Sequence, residues 1–253
     1  NAEYKNRVAR AAKTLRIEHL LDRKTDRLWG DEMQRVAIGR AIVRKPRVFL
    51  MDEPLSALDA KLREALRTEL KNLQIQLGAT FLFVTHDQME AVSMGDKVGV
   101  LNHGRIVQTG TPHEIYNNPR DTYVASFVGS PPMNLIDGRL VNGRAVMAPL
   151  NFELPFSGGA KASSATDGRP LVFGIRPEDV YLESGAPVEA RVHDVENHGV
   201  EKILTLRVGD TTLRATVPAR TDVAIEQPVR FAWNPDKVVL FDKGSGVSLR
   251  HAG

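Results

Sequence analysis

The segment Val48-Phe49-Leu50-Met51-Asp52-Glu53-Pro54 constrains this chain more than any other. Four apolar residues in a row, with no polar alternation, predict a strand covered on both faces of a parallel sheet. The strand ends in two acids, which places both carboxylates at the C-terminal edge of the sheet, where α/β proteins bind ligands. In phosphoryl transfer such an edge has two tasks: one carboxylate holds Mg²⁺, and a second polarises the attacking water. Taken alone, the segment reads equally well as a strand followed by a capped turn, because Asp-Glu-Pro is also good turn chemistry.

The flanking pattern supplies the layers. Val8, Ala11, Ala12, Leu15, Leu20 and Leu21 recur at roughly helical spacing over residues 4–21, and a second helical pattern covers 31–44, stopping before Pro46. A third spans 60–77, with Leu62, Leu66, Leu70, Leu73 and Leu77 on one side and Gly78 as its stop. Residues 81–85 repeat the buried-strand signature and deliver His86 to an equivalent strand end. Helix–strand–helix–strand order predicts an α/β layered core, with Asp52, Glu53 and His86 on one edge. A lone histidine at a strand end is usually structural; beside a paired-acid edge it becomes a candidate contact for a terminal phosphate. The other histidines show no ligand spacing.

Further on, the texture changes. Residues 98–101 and 105–108 predict a hairpin around Asn102-His103-Gly104, and Thr111-Pro112-His113-Glu114 has the form of a capping box with Pro at the first helical position. Ser130-Pro131-Pro132 blocks both helix and central strand, which sets the expected division into domains 1–129 and 130–253. Beyond it, short β-type runs at 188–195, 203–208, 211–217, 229–233 and 238–241 alternate with turn signals such as Asn142-Gly143, Gly158-Gly159 and Gly209-Asp210. Closely spaced short strands predict a small barrel or sandwich. Residues 157–169 are poor in large apolar side chains and are expected to form a mobile loop.

Composition removes several functions. The absence of cysteine excludes disulfides, thiolate chemistry and Cys-based zinc sites. Lys and Arg (34) interleave with Asp and Glu (31) instead of forming a basic block, so charge gives no support to nucleic-acid binding. No stretch approaches the roughly 20 apolar residues that cross a bilayer, so no direct membrane insertion is expected and any membrane role runs through a partner. The chain carries no signal-peptide pattern and opens without Met into a charged helical pattern, as if entered partway.

Gln34-Arg35-Val36-Ala37-Ile38-Gly39-Arg40-Ala41, Met51-Asp52-Glu53-Pro54-Leu55-Ser56-Ala57-Leu58-Asp59 and Val84-Thr85-His86-Asp87 together resemble the second half of an ATP-binding-cassette (ABC) ATPase. Their order and spacing match its signature helix, Walker B, D-loop and switch histidine. Ala60-Lys61-Leu62-Arg63, Gly110-Thr111-Pro112-His113-Glu114-Ile115-Tyr116, Gly129-Ser130-Pro131-Pro132-Met133-Asn134 and Gly174-Ile175-Arg176-Pro177-Glu178 are similar to the sugar-importer branch, of maltose and glycerol-3-phosphate type. The resemblance covers nearly the whole chain. It implies the α/β core of an incomplete P-loop NTPase, followed by an all-β, OB-like (TOBE-type) barrel with regulatory and dimer-contact roles. It also implies that Asp52 holds Mg²⁺, Glu53 is the general base and His86 senses the γ-phosphate. Asp59 belongs to the D-loop that links two protomers, and Gly30 to the signature segment that meets the partner's ATP. ATP and Mg²⁺ are the implied cofactors. The implied partners are a second ATPase subunit, in a homodimer, and transmembrane permease subunits, which places the chain in the cytoplasm, peripheral on the inner face of the cell membrane.

Two departures shape the expected function. No G-x-x-x-x-G-K-[S/T] segment occurs in the 253 residues, nor does the Q-loop that lies between that loop and the signature in the family. Without the N–H cradle and Lys that bind β- and γ-phosphates, the chain is expected not to hydrolyse ATP alone. The sheet is expected to expose apolar surface. The family signature Leu-Ser-Gly-Gly-Gln is here Leu28-Trp29-Gly30-Asp31-Glu32. Trp29 removes a hydroxyl and adds bulk, and Asp31 puts negative charge near the expected phosphate; equally, acids in a first turn are ordinary helix-stabilising residues. Three functions compete: the energy-coupling ATPase subunit of a sugar-type importer, a non-catalytic dimerisation or regulatory remnant, and a DNA-maintenance ATPase of the same superfamily. The barrel and the weak charge disfavour the last.

Overall fold

The computed structural model describes residues 2–44, 46–56, 58–142, 144–147, 150, 152–155 and 168–250. They fall into two compact units, Asn1–Asp96 and Lys97–Gly253.

In the first unit, helices α1 (Ala2–Thr14), α2 (Gly30–Val43) and α3 (Ala60–Leu77) accompany strands β1 (Val48–Asp52) and β2 (Thr80–Val84). Helix α1 stops short of the predicted residue 21. Arg16 turns left-handed (φ 55°) and the Ile17 N–H returns to the Ala12 carbonyl at 2.9 Å, so Ile17 and Leu20 reach the core from a short 3₁₀ turn instead. Helix α3 has the predicted bounds. Its N-cap Asp59 accepts the Leu62 N–H at 2.9 Å, and Gly78 closes it with φ 58°, a conformation that glycine adopts at no steric cost. Leu66, Leu70 and Leu73 form one buried face and pack with Ala12, Leu15, Ile38 and Leu55. Arg35 ties the three helices together, donating to the Leu15 carbonyl and pairing with Glu69.

Strands β1 and β2 pair in parallel, from Val48↔Thr80 to Asp52↔Val84. Cover on both faces, expected from the unbroken apolar run, is not found among the described residues. Met51, Phe81 and Phe83 pack against the helical core, and the Phe49 and Phe81 rings meet at 4.5 Å. The alternate residues Leu50, Leu82 and Val84 are 76%, 57% and 55% exposed. The expectation of exposed apolar surface is met on this face.

The second unit opens with the hairpin β3 (Val98–Asn102) and β4 (Arg105–Gly110), turned by His103 and Gly104 at positive φ. Helix α5 (Pro112–Asn117) starts in the predicted capping box: Thr111 Oγ1 accepts the Glu114 N–H, and Glu114 accepts the Thr111 N–H at 2.8 Å. Helix α6 (Thr122–Phe127) follows. Strands β5 (Asn134–Val141), β6 (Arg144–Met147), β7 (Phe152–Pro155), β8 (Pro170–Ile175) and β14 (Val239–Asp242) make one antiparallel sheet, in the order β14-β8-β5-β6-β7. Strands β9 (Val180–Leu182), β10 (Val188–Asn197), β11 (Glu201–Val208), β12 (Thr211–Pro218) and β13 (Pro228–Trp233) make the other, in the order β12-β11-β10-β13-β9. Ile136, Phe173, Val192, Leu204, Leu206 and Phe231 belong to one core that both sheets share, which gives the barrel-like closure the short strands predicted. Asn134 staples the sheets across their ends: its amide donates to the Arg214 carbonyl at 2.8 Å and accepts the Arg214 N–H at 2.7 Å. The Gly158-Gly159 turn and most of the loop expected over 157–169 lie outside the described residues.

The compact division at Asp96/Lys97 precedes the paired prolines, and Arg176 accounts for this. Its buried guanidinium donates to the carbonyls of Tyr116, Val128 and Ala125 and lies 3.9 Å over the Tyr116 ring. The helical segment ahead of the prolines is thereby fixed to the barrel. Burial pulls the Arg176 guanidinium below its usual range, an effect opposed by Tyr116 and Glu178. Burial, then the hydrogen bond to Glu178, pushes the Tyr116 phenol up. Gly129 leaves room for the guanidinium: at φ 117° it adopts a conformation few side chains tolerate, and a Cβ there would lie 2.7 Å from Arg176 Nη1.

Candidate functional site: the strand edge of the first unit

The parallel register carries β1 and β2 to the same edge, with Asp52 opposite Val84. One residue further, the Glu53 N–H donates to the Val84 carbonyl at 2.8 Å, extending the ladder past the strand, while Glu53 itself turns to φ 44°. A non-glycine residue in the left-handed region carries roughly 1–3 kcal/mol of local strain, and such residues concentrate at functional sites. Ser56 holds the turn, donating both N–H and hydroxyl to the Glu53 carbonyl. The turn aims the Glu53 carboxylate at the end of β2, where Oε1 meets His86 Nδ1 at 2.8 Å. That hydrogen bond, then the charge of Glu53, raises the His86 imidazole above its ordinary 6.5. Both side chains stay open to solvent.

Asp52 is exposed, and its carboxylate has no hydrogen-bonding or ion-pairing partner among the described residues. An uncommitted carboxylate at a strand edge fits a hard cation. Mg²⁺ is usually held by one or two carboxylates, water and substrate phosphates. Asp59, predicted at a subunit contact, stands outside the Glu53–His86 pair as the N-cap of α3. Gly30 begins α2, with open space where a Cβ would project. Just ahead of it, Trp29 is 79% exposed, and its N–H donates to the Glu32 carboxylate at 3.2 Å, while Arg23 pairs with Glu32 at 3.0 Å. Glu32 thus satisfies a donor at the helix start that a bound anion would otherwise meet.

The sequence alone did not single out Gln34, whose side-chain amide donates to the Pro54 carbonyl at 2.6 Å and ties α2 to the acid turn. Nor did it assign a part to Glu90, a buried carboxylate on α4 (Gln88–Met94), the helix directly after His86. A fully buried glutamate is rare enough to signal a fixed partner, but burial is not written in the sequence.

Paired acids on a parallel strand edge, a histidine on the next strand and an OB-type barrel later in the chain make up the architecture of an importer-type ABC ATPase. Residues 1–56 match the ABC transporter family, 129–180 the MalK OB fold domain and 173–241 the TOBE domain. The chain is 44% identical, over 98% of its length, to the trehalose/maltose import ATP-binding protein MalK of Thermococcus litoralis, covering 69% of that protein. It is 44% identical over 92% of its length to the sulfoquinovosyl glycerol transport ATP-binding protein SmoE of Agrobacterium fabrum, covering 65% of it. Against the sn-glycerol-3-phosphate import ATP-binding protein UgpC of Ruegeria pomeroyi the identity is 42% over 96%, covering 68% of it. The chain therefore belongs to the family of ATP-binding subunits of sugar-type ABC importers. It spans about two thirds of the length of these relatives.

Proposed function

We propose that this chain serves as the ATP-binding, energy-coupling subunit of an ABC importer for a sugar or related solute, and that its 253 residues do not hydrolyse ATP alone. The observation that carries the reading is the Glu53–His86 hydrogen bond at the edge where Asp52 also emerges. In this reading Glu53 takes the proton of the attacking water, and His86 contacts the terminal phosphate and holds the Glu53 carboxylate in place. Asp52 would hold Mg²⁺, which, when bound, supplies charge neutralisation for the phosphates. Gly30 and Asp59 face a second copy of the subunit across the nucleotide, and the closure of the pair drives the permease subunits. The family's dependence on ATP and Mg²⁺ supports the cofactor assignment, and the relatives' roles as import subunits support the partners and a site of action on the inner face of the membrane. The phosphate-cradling loop is not among the 253 residues, which is the ground for the second half of the proposal.

The test is Mg-ATP hydrolysis by the native protein, with Glu53→Gln as the control. Removing a general base lowers turnover by about 10²–10⁴-fold while nucleotide binding persists. Hydrolysis undiminished in Glu53→Gln, or an active 253-residue chain, would overturn the assignment. One observation favours a second reading, that of a non-catalytic dimerisation or regulatory module: the Glu32 carboxylate already takes the Trp29 backbone N–H at the start of α2. Failure to trap an ATP-dependent dimer of Glu53→Gln would decide for it.

A further inference from the structure

The turn that carries His86 is held by side chains to which phosphate sensing gives no part. Thr85, at the end of β2, donates its hydroxyl to Glu90 Oε2 at 2.7 Å and accepts the Asp87 N–H at 3.0 Å. Asp87 in turn caps α4, accepting the N–H groups of Met89 at 2.8 Å and Glu90 at 3.3 Å. His86 therefore sits between two residues whose positions are fixed through Glu90. That carboxylate is 2% exposed. Burying a carboxylate costs several kcal/mol unless hydrogen bonds and an opposite charge offset it. Here the Thr85 hydroxyl supplies one and Arg63 the other, with Arg63 Nε 3.9 Å from Glu90 Oε1. The same guanidinium stands 3.4 Å from Asp87 Oδ2 and donates to the Leu58 carbonyl at 3.1 Å, immediately before Asp59.

We propose that Glu90 is a positioning residue: through Thr85 it sets the His86 turn so that Nδ1 meets Glu53, and through Arg63 it fastens that turn to the loop carrying Asp59. The proposal rests on the reading of Glu53 and His86 as an acting pair. A purely structural Glu90 would stabilise α4 and leave the geometry of His86 unchanged. A positioning Glu90 governs whether the imidazole finds its carboxylate.

Histidine side-chain NMR titration of the chain separates the two, and it needs no nucleotide, so its outcome is independent of whether ATP binds. In the wild type His86 is raised above 6.5 chiefly by Glu53, with a smaller contribution from the charges of Glu90 and Asp87. Glu90→Ala and Thr85→Val are each expected to bring His86 back toward 6.5, as Glu53→Gln does. Glu90→Gln is expected to lose only the small part due to its charge and to keep the larger part due to Glu53, because the amide oxygen still accepts the Thr85 hydroxyl. Wild-type titration in both Glu90→Ala and Thr85→Val would overturn the proposal. So would an equal fall in Glu90→Gln and Glu90→Ala, which would reduce Glu90 to a distant charge. If circular dichroism shows that Glu90→Ala does not fold, Thr85→Val, which preserves volume, decides alone.

Discussion

The two units of this chain treat apolar strand residues in opposite ways. In the second unit the sheets share one core, and Phe173, Leu204, Leu206 and Phe231 are fully enclosed. In the first, β1 and β2 bury Phe49 and half-bury Phe81 on one side and leave Leu50 and Leu82 in solvent on the other. The barrel strands enclose a core within the described residues, and the apolar side chains left exposed there, such as Val200 and Ile225, are scattered and form no face like that of β1 and β2. The strand edge that carries Asp52, Glu53 and His86 lies beside an uncovered apolar face. The comparison teaches that the barrel's packing is self-contained and that the chemistry sits on the unit whose sheet is open.

The same truncation in each unit gives the largest contrast. Leu204→Ala should lower the stability of the second unit by about 2–5 kcal/mol, read by denaturant unfolding, because the cavity sits in an enclosed core. Leu50→Ala should fall within about 0.5 kcal/mol of wild type, as surface changes do. Equal costs would break the comparison. Next comes the fastening of the helical segment to the barrel: Gly129→Ala should cost about 1–3 kcal/mol, from a strained φ and contact with Arg176, with faster hydrogen exchange in α5 and α6. Smaller effects are expected at the caps, which should respond alike in both units. Asp59→Ala and Thr111→Ala should each cost about 1 kcal/mol by thermal melting, and a large difference between them would sharpen the comparison into one of local rigidity. The smallest effect is electrostatic. Because His86 is raised above 6.5 by Glu53, any stability from that pair is present in full below pH 6.5 and lost as pH rises through the folded value. Glu53→Gln should abolish this slight dependence, seen by comparing first-unit melting on the two sides of that range.

Much of this was legible in residue order. The leucine stripe of α3, its Asp59 cap and its Gly78 stop come from local rules that tertiary contacts did not disturb. The capping box at Thr111 and the run of strands from Val188 onward were legible for the same reason. What could not be read depends on contacts between distant residues. Strand β5 hides behind Asp137, Gly138 and Arg139, and Gly138 is needed because a Cβ there would meet the Phe173 ring at 2.7 Å. The unbroken run of β1 suggested two covered faces, but an apolar run does not record which neighbours are present. At the site, residue types at strand ends pointed to Asp52, Glu53 and His86, and register brings the last two into contact. The left-handed turn at Glu53, the Glu32 hydrogen bond to Trp29 and the enclosure of Glu90 by Thr85 and Arg63 have no signature in spacing.

The claim that nucleotide chemistry belongs to the open edge and not to the barrel is tested most directly by hydrogen–deuterium exchange of the native protein with and without Mg-ATP. The account predicts slower exchange across residues 52–56 and 85–90 and at the start of α2, with β5 and β8–β14 unchanged. Protection confined to the barrel strands, with the strand edge unaffected, would contradict it.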